Sequence, residues 1–129
     1  MVASSAKFPT RVRGRIIVEM TVEALPDGVK KAVLRGRMDI EGAQAVDMRF
    51  SVLGGAEKKL VVDLTELDFI GSMGLRTLMM CARTINAKGG KMAIANAQPN
   101  VLKVLDSIGI AEVVPVHPSL ESAVAAVCA

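Results

Sequence analysis

The 129-residue sequence predicts a single layered α/β domain with a mixed central sheet and about four helices, in the order ββαβαβαβα. Three observations carry that expectation. Short apolar or β-branched runs alternate with segments whose apolar residues recur at helical spacing. The first two runs meet across a tight turn signal, which calls for an antiparallel pair, whereas later runs are separated by helix-length segments, which call for parallel crossovers. A hydrophobic content of 51% over this length suits one core rather than two.

Residues 1–13, MVASSAKFPTRVR, are rich in Ser and Arg and lack acids, so they read as a flexible tail ahead of a domain over 14–129. RIIVEMTVEA (15–24) and VKKAVLRG (29–36) form a hairpin around the turn residues LPDG. RMDIEG then leads into a helix with Ala43, Val46, Phe50 and Leu53 on one face, ended by Gly54 and Gly55. LVVDL (60–64) is an unbroken apolar run that suits a central strand covered on both faces. A second helix carries Leu75, Leu78, Met79, Ala82 and Ile85 on one side and is closed by Gly89 and Gly90. KMAIANA (91–97) follows as a strand, PNVLKVLDSIG as a helix opened by Pro99 with Gly109 past its end, and EVVPV (112–116) as a short strand. A last helix, from about Ser119 to Val127, presents Leu120, Ala123, Val124 and Val127.

Composition excludes several functions. The formal charge is only +3, and the basic clusters Lys7, Arg11, Arg13, Arg15 and Lys30, Lys31, Arg35, Arg37 read as solvated surface. With no Trp or Tyr and three Phe, bases have almost nothing to stack on, so no nucleic-acid partner is expected. Cys81 and Cys128 make no disulfide framework; a reducing cytoplasm is the natural setting, with Cys81 in the core. No apolar run approaches the ~20 residues of a membrane span, and the N-terminus lacks the apolar stretch of a secretory signal. Direct membrane insertion is not expected.

The chemistry concentrates in DFIGSMGL (68–75), where Ser72 and Met73 lie between Gly71 and Gly74. A nucleophile elbow needs G-x-S-x-G, but its first position holds Ile70, and the single histidine, His117, reads as a surface loop residue. Neither a phosphate loop nor a dinucleotide fingerprint fits the spacing, and no ligand set for a metal is present. An enzyme is not expected, nor a cofactor. Ser72 suits a helix N-cap, worth ~1 kcal/mol. The same place favours negative charge and suits a phosphoserine that another protein reads. Met73 suits either the core or a partner.

From about Arg15 to Val127 the sequence resembles the STAS domain family, the fold of bacterial anti-sigma factor antagonists. Leu34, Gly36 and Asp39 of LRGRMD match the family's strand-end pattern. LVVDLTELDFI is similar to its apolar strand and loop, and GGKMAIANAQPNVLKVLDSIGI to its strand, loop and Leu-rich helix. In those antagonists the key segment reads Asp-Ser-Ser/Thr-Gly-Leu, and its first hydroxyl is phosphorylated by an anti-sigma factor that is itself a serine kinase. By that match Ser72 is the phosphoacceptor, Gly74 the family's Gly and Leu75 the apolar residue after it, while Gly71 replaces the Asp and Met73 the second hydroxyl.

The resemblance implies a cytoplasmic, non-enzymatic regulator that binds a kinase-type anti-sigma factor, is switched by phosphorylation of Ser72 and is reset by a phosphatase. The expected contact set is Asp39, Ile40, Asp68, Gly71, Ser72, Met73, Gly74 and Arg76, with Arg37 beside it. Gly71 and Met73 favour a second reading, a STAS-type accessory or scaffold subunit of a transport or signalling complex with no phosphate cycle.

Overall fold

A computed structural model describes residues 5–12 and 15–129, with side-chain environments from residue 18 onward. Strands β1 (Ser5–Val12), β2 (Arg15–Ala24), β3 (Lys30–Met38), β4 (Lys59–Ile70), β5 (Lys91–Ala95) and β6 (Val116–His117) form one sheet in sequential order. The pairs β1–β2 and β2–β3 are antiparallel, and β3–β4, β4–β5 and β5–β6 are parallel. Helices α1 (Ile40–Ala56), α2 (Ser72–Ala87) and α3 (Pro99–Ser107) make the three crossovers, and α4 (Leu120–Cys128) ends the chain. Successive crossovers of one hand that step the same way along a sheet must lie on one face. Accordingly, residues of α1, α2 and α3 share a core with Leu34, Leu60, Val62 and Ile94, while α4 covers the opposite face.

The alternation along the strands decides which helix meets which face. Met92 and Ile94 of β5 point to the three-helix side, and Ala93 and Ala95 to α4, where Ala123 and Val127 pack on them. Small residues on the α4 side allow that helix to settle close to the sheet. On the same side of β2 and β3, beyond α4, Glu23 faces Lys31 and Glu19 faces Arg35, which also reaches Glu66 at 2.8 Å. Lys30 lies 3.8 Å from Glu57. The second basic cluster is therefore largely neutralised within the fold.

Five expectations change. Residues 5–12 of the expected tail form an edge strand; Ala6, Phe8 and Val12 supply a period-2 signal that Pro9 obscures, and an edge position tolerates Pro. The remainder of that tail lies outside the described residues. Helix α1 does not stop at Gly54 but runs through Gly55 to Ala56. Gly54 is buried within α1 and faces α2, where a Cβ would meet Thr84 and the Cys81 sulfur at ordinary contact distances of 3.4 and 3.5 Å.

Strand β4 continues past Leu64 through the segment expected as a loop, and it carries one extra residue against β3 at each of two bulges, between Asp63 and Glu66 and at Asp68. The second bulge lies opposite the Gly36–Arg37 step of β3, where Gly36 has a φ of 100° that belongs to glycine. The last strand shrinks from 112–116 to Val116–His117. Glu112 belongs to a 3-10 turn, the Val114 N–H donates to the Ile110 carbonyl, and Pro115 has no N–H to give. His117 thus sits in a strand rather than a surface loop, with its Nε2 buried and lacking a hydrogen-bond partner.

Cys81, on α2, is buried in the core as expected, with its sulfur toward α1, while Cys128 is exposed. Burial pushes the Cys81 thiol up from 9.0 to about 12, the charge of Lys88 pulling weakly the other way. At pH 8 its thiolate fraction is on the order of 10⁻⁴. A chromogenic disulfide reagent at that pH should therefore titrate Cys128 alone in the native protein and both thiols in denaturant. Two fast thiols under native conditions would contradict this packing.

Candidate functional site

The site forms where β3 and β4 end side by side. Their parallel register sets Arg37 beside Phe69 and Met38 beside Ile70, and the Gly71 N–H donates to the Met38 carbonyl at 2.9 Å. Two crossover helices consequently start next to each other at the carboxyl ends of adjacent parallel strands, where this class of sheet offers its binding surface.

The two helix starts differ electrically. At α1, Asp39 is the N-cap and its Oδ1 accepts from the Gly42 N–H at 2.9 Å, with Glu41 in the first turn. At α2 the N-cap is Gly71, no side chain caps the helix, and its first turn holds no acid. Ser72 was expected to be that cap. Because the Gly71 N–H extends the strand ladder to Met38, the helix begins one residue early and Ser72 becomes its first member. Its hydroxyl is exposed and makes no capping bond, and the N–H groups of Ser72, Met73 and Gly74 have no partner inside the helix. The positive end of α2 is bare beside a free hydroxyl.

Around Ser72 lies an apolar patch. Ile40 is 63% exposed and Phe69 and Met73 are each 37% exposed, and together with Asp39, Glu41 and Gly71 they line a shallow depression of about 380 Å³. Met73 takes no part in the core cluster, so its side chain is available to a partner. The Arg37 guanidinium stacks 4.5 Å above the Phe69 ring and stands 3.8 Å from Asp39 Oδ2, holding the ring and the carboxylate in place. Arg76 is exposed one turn along α2.

Six of the eight expected contact residues meet here: Asp39, Ile40, Gly71, Ser72, Met73 and Arg76. Gly74 does not. It is buried, and a Cβ would lie 2.9 Å from both Ile70 Cγ1 and Met38 Cβ, so it seats α2 on the strand ends instead of touching a partner. Asp68 is also turned away. Its carbonyl accepts from Asn100 Nδ2 at 2.7 Å and its Oδ1 lies 3.5 Å from Gln98 Nε2, which ties it to the start of α3. Glu41, missing from the expected set, joins the depression; its place in the first turn after a capping Asp was the available signal.

With this geometry in view, the relationship to known proteins is direct. The STAS domain family matches residues 24–123, and the chain belongs to that family. An anti-sigma F factor antagonist of Paenibacillus polymyxa is 29% identical over 92 residues, covering 70% of this chain and 79% of its own. The crystal structure of an anti-sigma factor antagonist from Mycobacterium paratuberculosis superposes with a TM-score of 0.76 at 25% identity, covering 87% of this chain and 95% of that one. The fold is also that of the antagonist SpoIIAA in its unphosphorylated form, with a TM-score of 0.71 at 21% identity over 84% of this chain and 96% of that one. No described helix is long and apolar enough to cross a membrane.

Two substitutions test the construction. Gly74→Ala forces α2 away from Met38 and Ile70 and should lower unfolding stability by about 1–3 kcal/mol, read as a lower urea midpoint. Asp39→Ala removes the α1 cap and should cost about 1 kcal/mol. A Gly74→Ala midpoint equal to wild type would show that the helix is not seated on the strand ends.

Proposed function

We propose that this chain is an anti-sigma factor antagonist: a non-enzymatic, cytoplasmic regulator that binds an anti-sigma factor through the face around Ser72 and releases it when Ser72 is phosphorylated. The observation that carries this reading is an exposed, uncommitted hydroxyl at an uncapped helix start, surrounded by exposed apolar side chains. The names of the relatives supply the partner class.

The chemistry of release follows from charge. In the unmodified state Ile40, Phe69 and Met73 bury apolar area against the partner, at roughly 25 cal/mol per Å² before the costs of association. The partner kinase would transfer a phosphoryl group from ATP to Ser72 Oγ. The Oγ–P bond forms, the bond to the ADP oxygen breaks, and the hydroxyl proton leaves to a base of the kinase. The product carries about −1.5 to −2 charge near Asp39 and Glu41, and closing a partner over it costs desolvation as well as repulsion. The free helix N–H groups stabilise the phosphate on the isolated domain, so release needs no refolding. A phosphatase would restore the hydroxyl.

The second reading, an accessory or scaffold subunit without a phosphate cycle, has one observation in its favour. Gly71 and Met73 leave the acceptor loop without a carboxylate or second hydroxyl, while Met73 adds apolar contact area. Mixing the protein with the anti-sigma factor of its own organism and ATP, followed by phosphopeptide mapping, separates the two. The switch predicts stoichiometric phosphate on Ser72 and an affinity loss of about tenfold or more, with Ser72→Ala retaining binding and taking no phosphate. Tight binding with no phosphate incorporated would establish the scaffold instead.

A further inference from the structure

A second groove starts at Ser72 and shares no other lining residue with the Ile40–Phe69 depression. It runs along α2, with Leu75, Met79 and Met80 on its floor and sides and Ile108, at the end of α3, forming its far wall. The volume is about 550 Å³. Met80 is 53% exposed and Ile108 is 46% exposed, so the groove offers apolar surface that the fold itself leaves open. Methionine side chains re-shape to fit what is laid on them.

Its rim is basic. Arg76 and Arg83 both line this groove, both are exposed, and neither has an ion-pair partner among the described residues. That distinguishes them from Lys30, Lys31, Arg35 and Arg37, each of which stands within 4 Å of an acid. Seven residues apart on one helix, the two guanidinium groups are rooted about 10 Å from each other along the axis. Ser72 sits four residues before Arg76 on the same face, in the order that favours an acid paired with a following base. The Ile40–Phe69 depression is rimmed by Asp39 and Glu41. Ser72 is therefore shared by a depression rimmed with two acids and a groove rimmed with two guanidinium groups.

We infer that the α2 groove holds a segment of the partner with apolar side chains flanked by two carboxylates, paired with Arg76 and Arg83, and that a phosphate on Ser72 competes for Arg76. The inference deepens the proposed function and rests on it. It gives release a second cause besides repulsion: the modified serine draws one of the two guanidinium groups away from the partner's acid. A protein segment fits better than nucleic acid, because the floor is apolar and lacks any aromatic ring for a base to stack on.

Two measurements decide it. In equilibrium binding to the anti-sigma factor of its own organism, Arg83→Glu is expected to weaken the complex by about tenfold or more, with Arg83→Ala intermediate. Lys58→Glu, the same charge reversal at the opposite end of β4, should stay within about twofold. Wild-type binding that Arg83→Glu leaves intact overturns the groove while leaving the functional reading standing; failure of the wild type to bind overturns both. A free protein that sediments as a dimer, dissociated by Arg83→Glu, makes the occupant a second copy and also overturns the assignment. The capture of Arg76 is read without any partner, by ³¹P NMR titration of protein carrying phosphoserine at position 72. The titration midpoint should lie about 0.3 pH unit lower with Arg76 than in the Arg76→Gln variant. Equal midpoints overturn the competition.

Discussion

The site depends on one junction, the seating of α2 on the ends of β3 and β4. The Gly71 N–H completes the parallel ladder to the Met38 carbonyl, and three residues later Gly74 lies against Met38 and Ile70 with no room for a Cβ. These contacts fix where the helix begins and which way Ser72 points. Had the ladder ended at Ile70, the helix could have started a residue later, with Ser72 folded back as a cap. The hydroxyl is free because a backbone bond has already set the helix start.

The same junction places two helix N-termini of different character side by side. One is capped by Asp39 and carries Glu41 in its first turn, while the other offers open N–H groups and no acid. Exposed apolar side chains bridge them, and Arg37 braces Phe69 and Asp39 at once. Under the proposed function, a change of charge at a single oxygen of this arrangement would act without movement of the sheet. The buried alternation of β4 and β5 supports the domain, and the groups left unsatisfied at one end of the sheet are the ones on which the proposed function draws.

Much of this was legible in the sequence, for identifiable reasons. The hairpin and crossovers could be read because period-2 and period-3.6 patterns succeed one another with Gly and Pro between them, and the helix starts near Ser119 and at Pro99 appear where they were expected. Gly54 was misleading because a glycine that ends a helix and one buried inside a helix against its neighbour look alike without knowledge of that neighbour. Residues 5–12 form a strand only because β2 offers them an edge, a long-range condition that local composition does not express. At the site, the direction of each side chain was the missing information. Asp68 and Phe69 are adjacent, yet one is held toward α3 and the other faces Ser72, and Gly74 lies two residues beyond Ser72 but points inward.

The central claim is that the surface around Ser72 is where another protein binds. Mapping backbone amide shifts of the isotope-labelled protein as the anti-sigma factor is added tests it most directly. The account predicts that the largest changes fall on Ile40, Glu41, Phe69 and the first turns of α2 from Ser72 to Arg76, with the charged outer face of β2 and β3 unaffected. Changes concentrated on that outer face or on α4, with Ser72 unmoved, would contradict it.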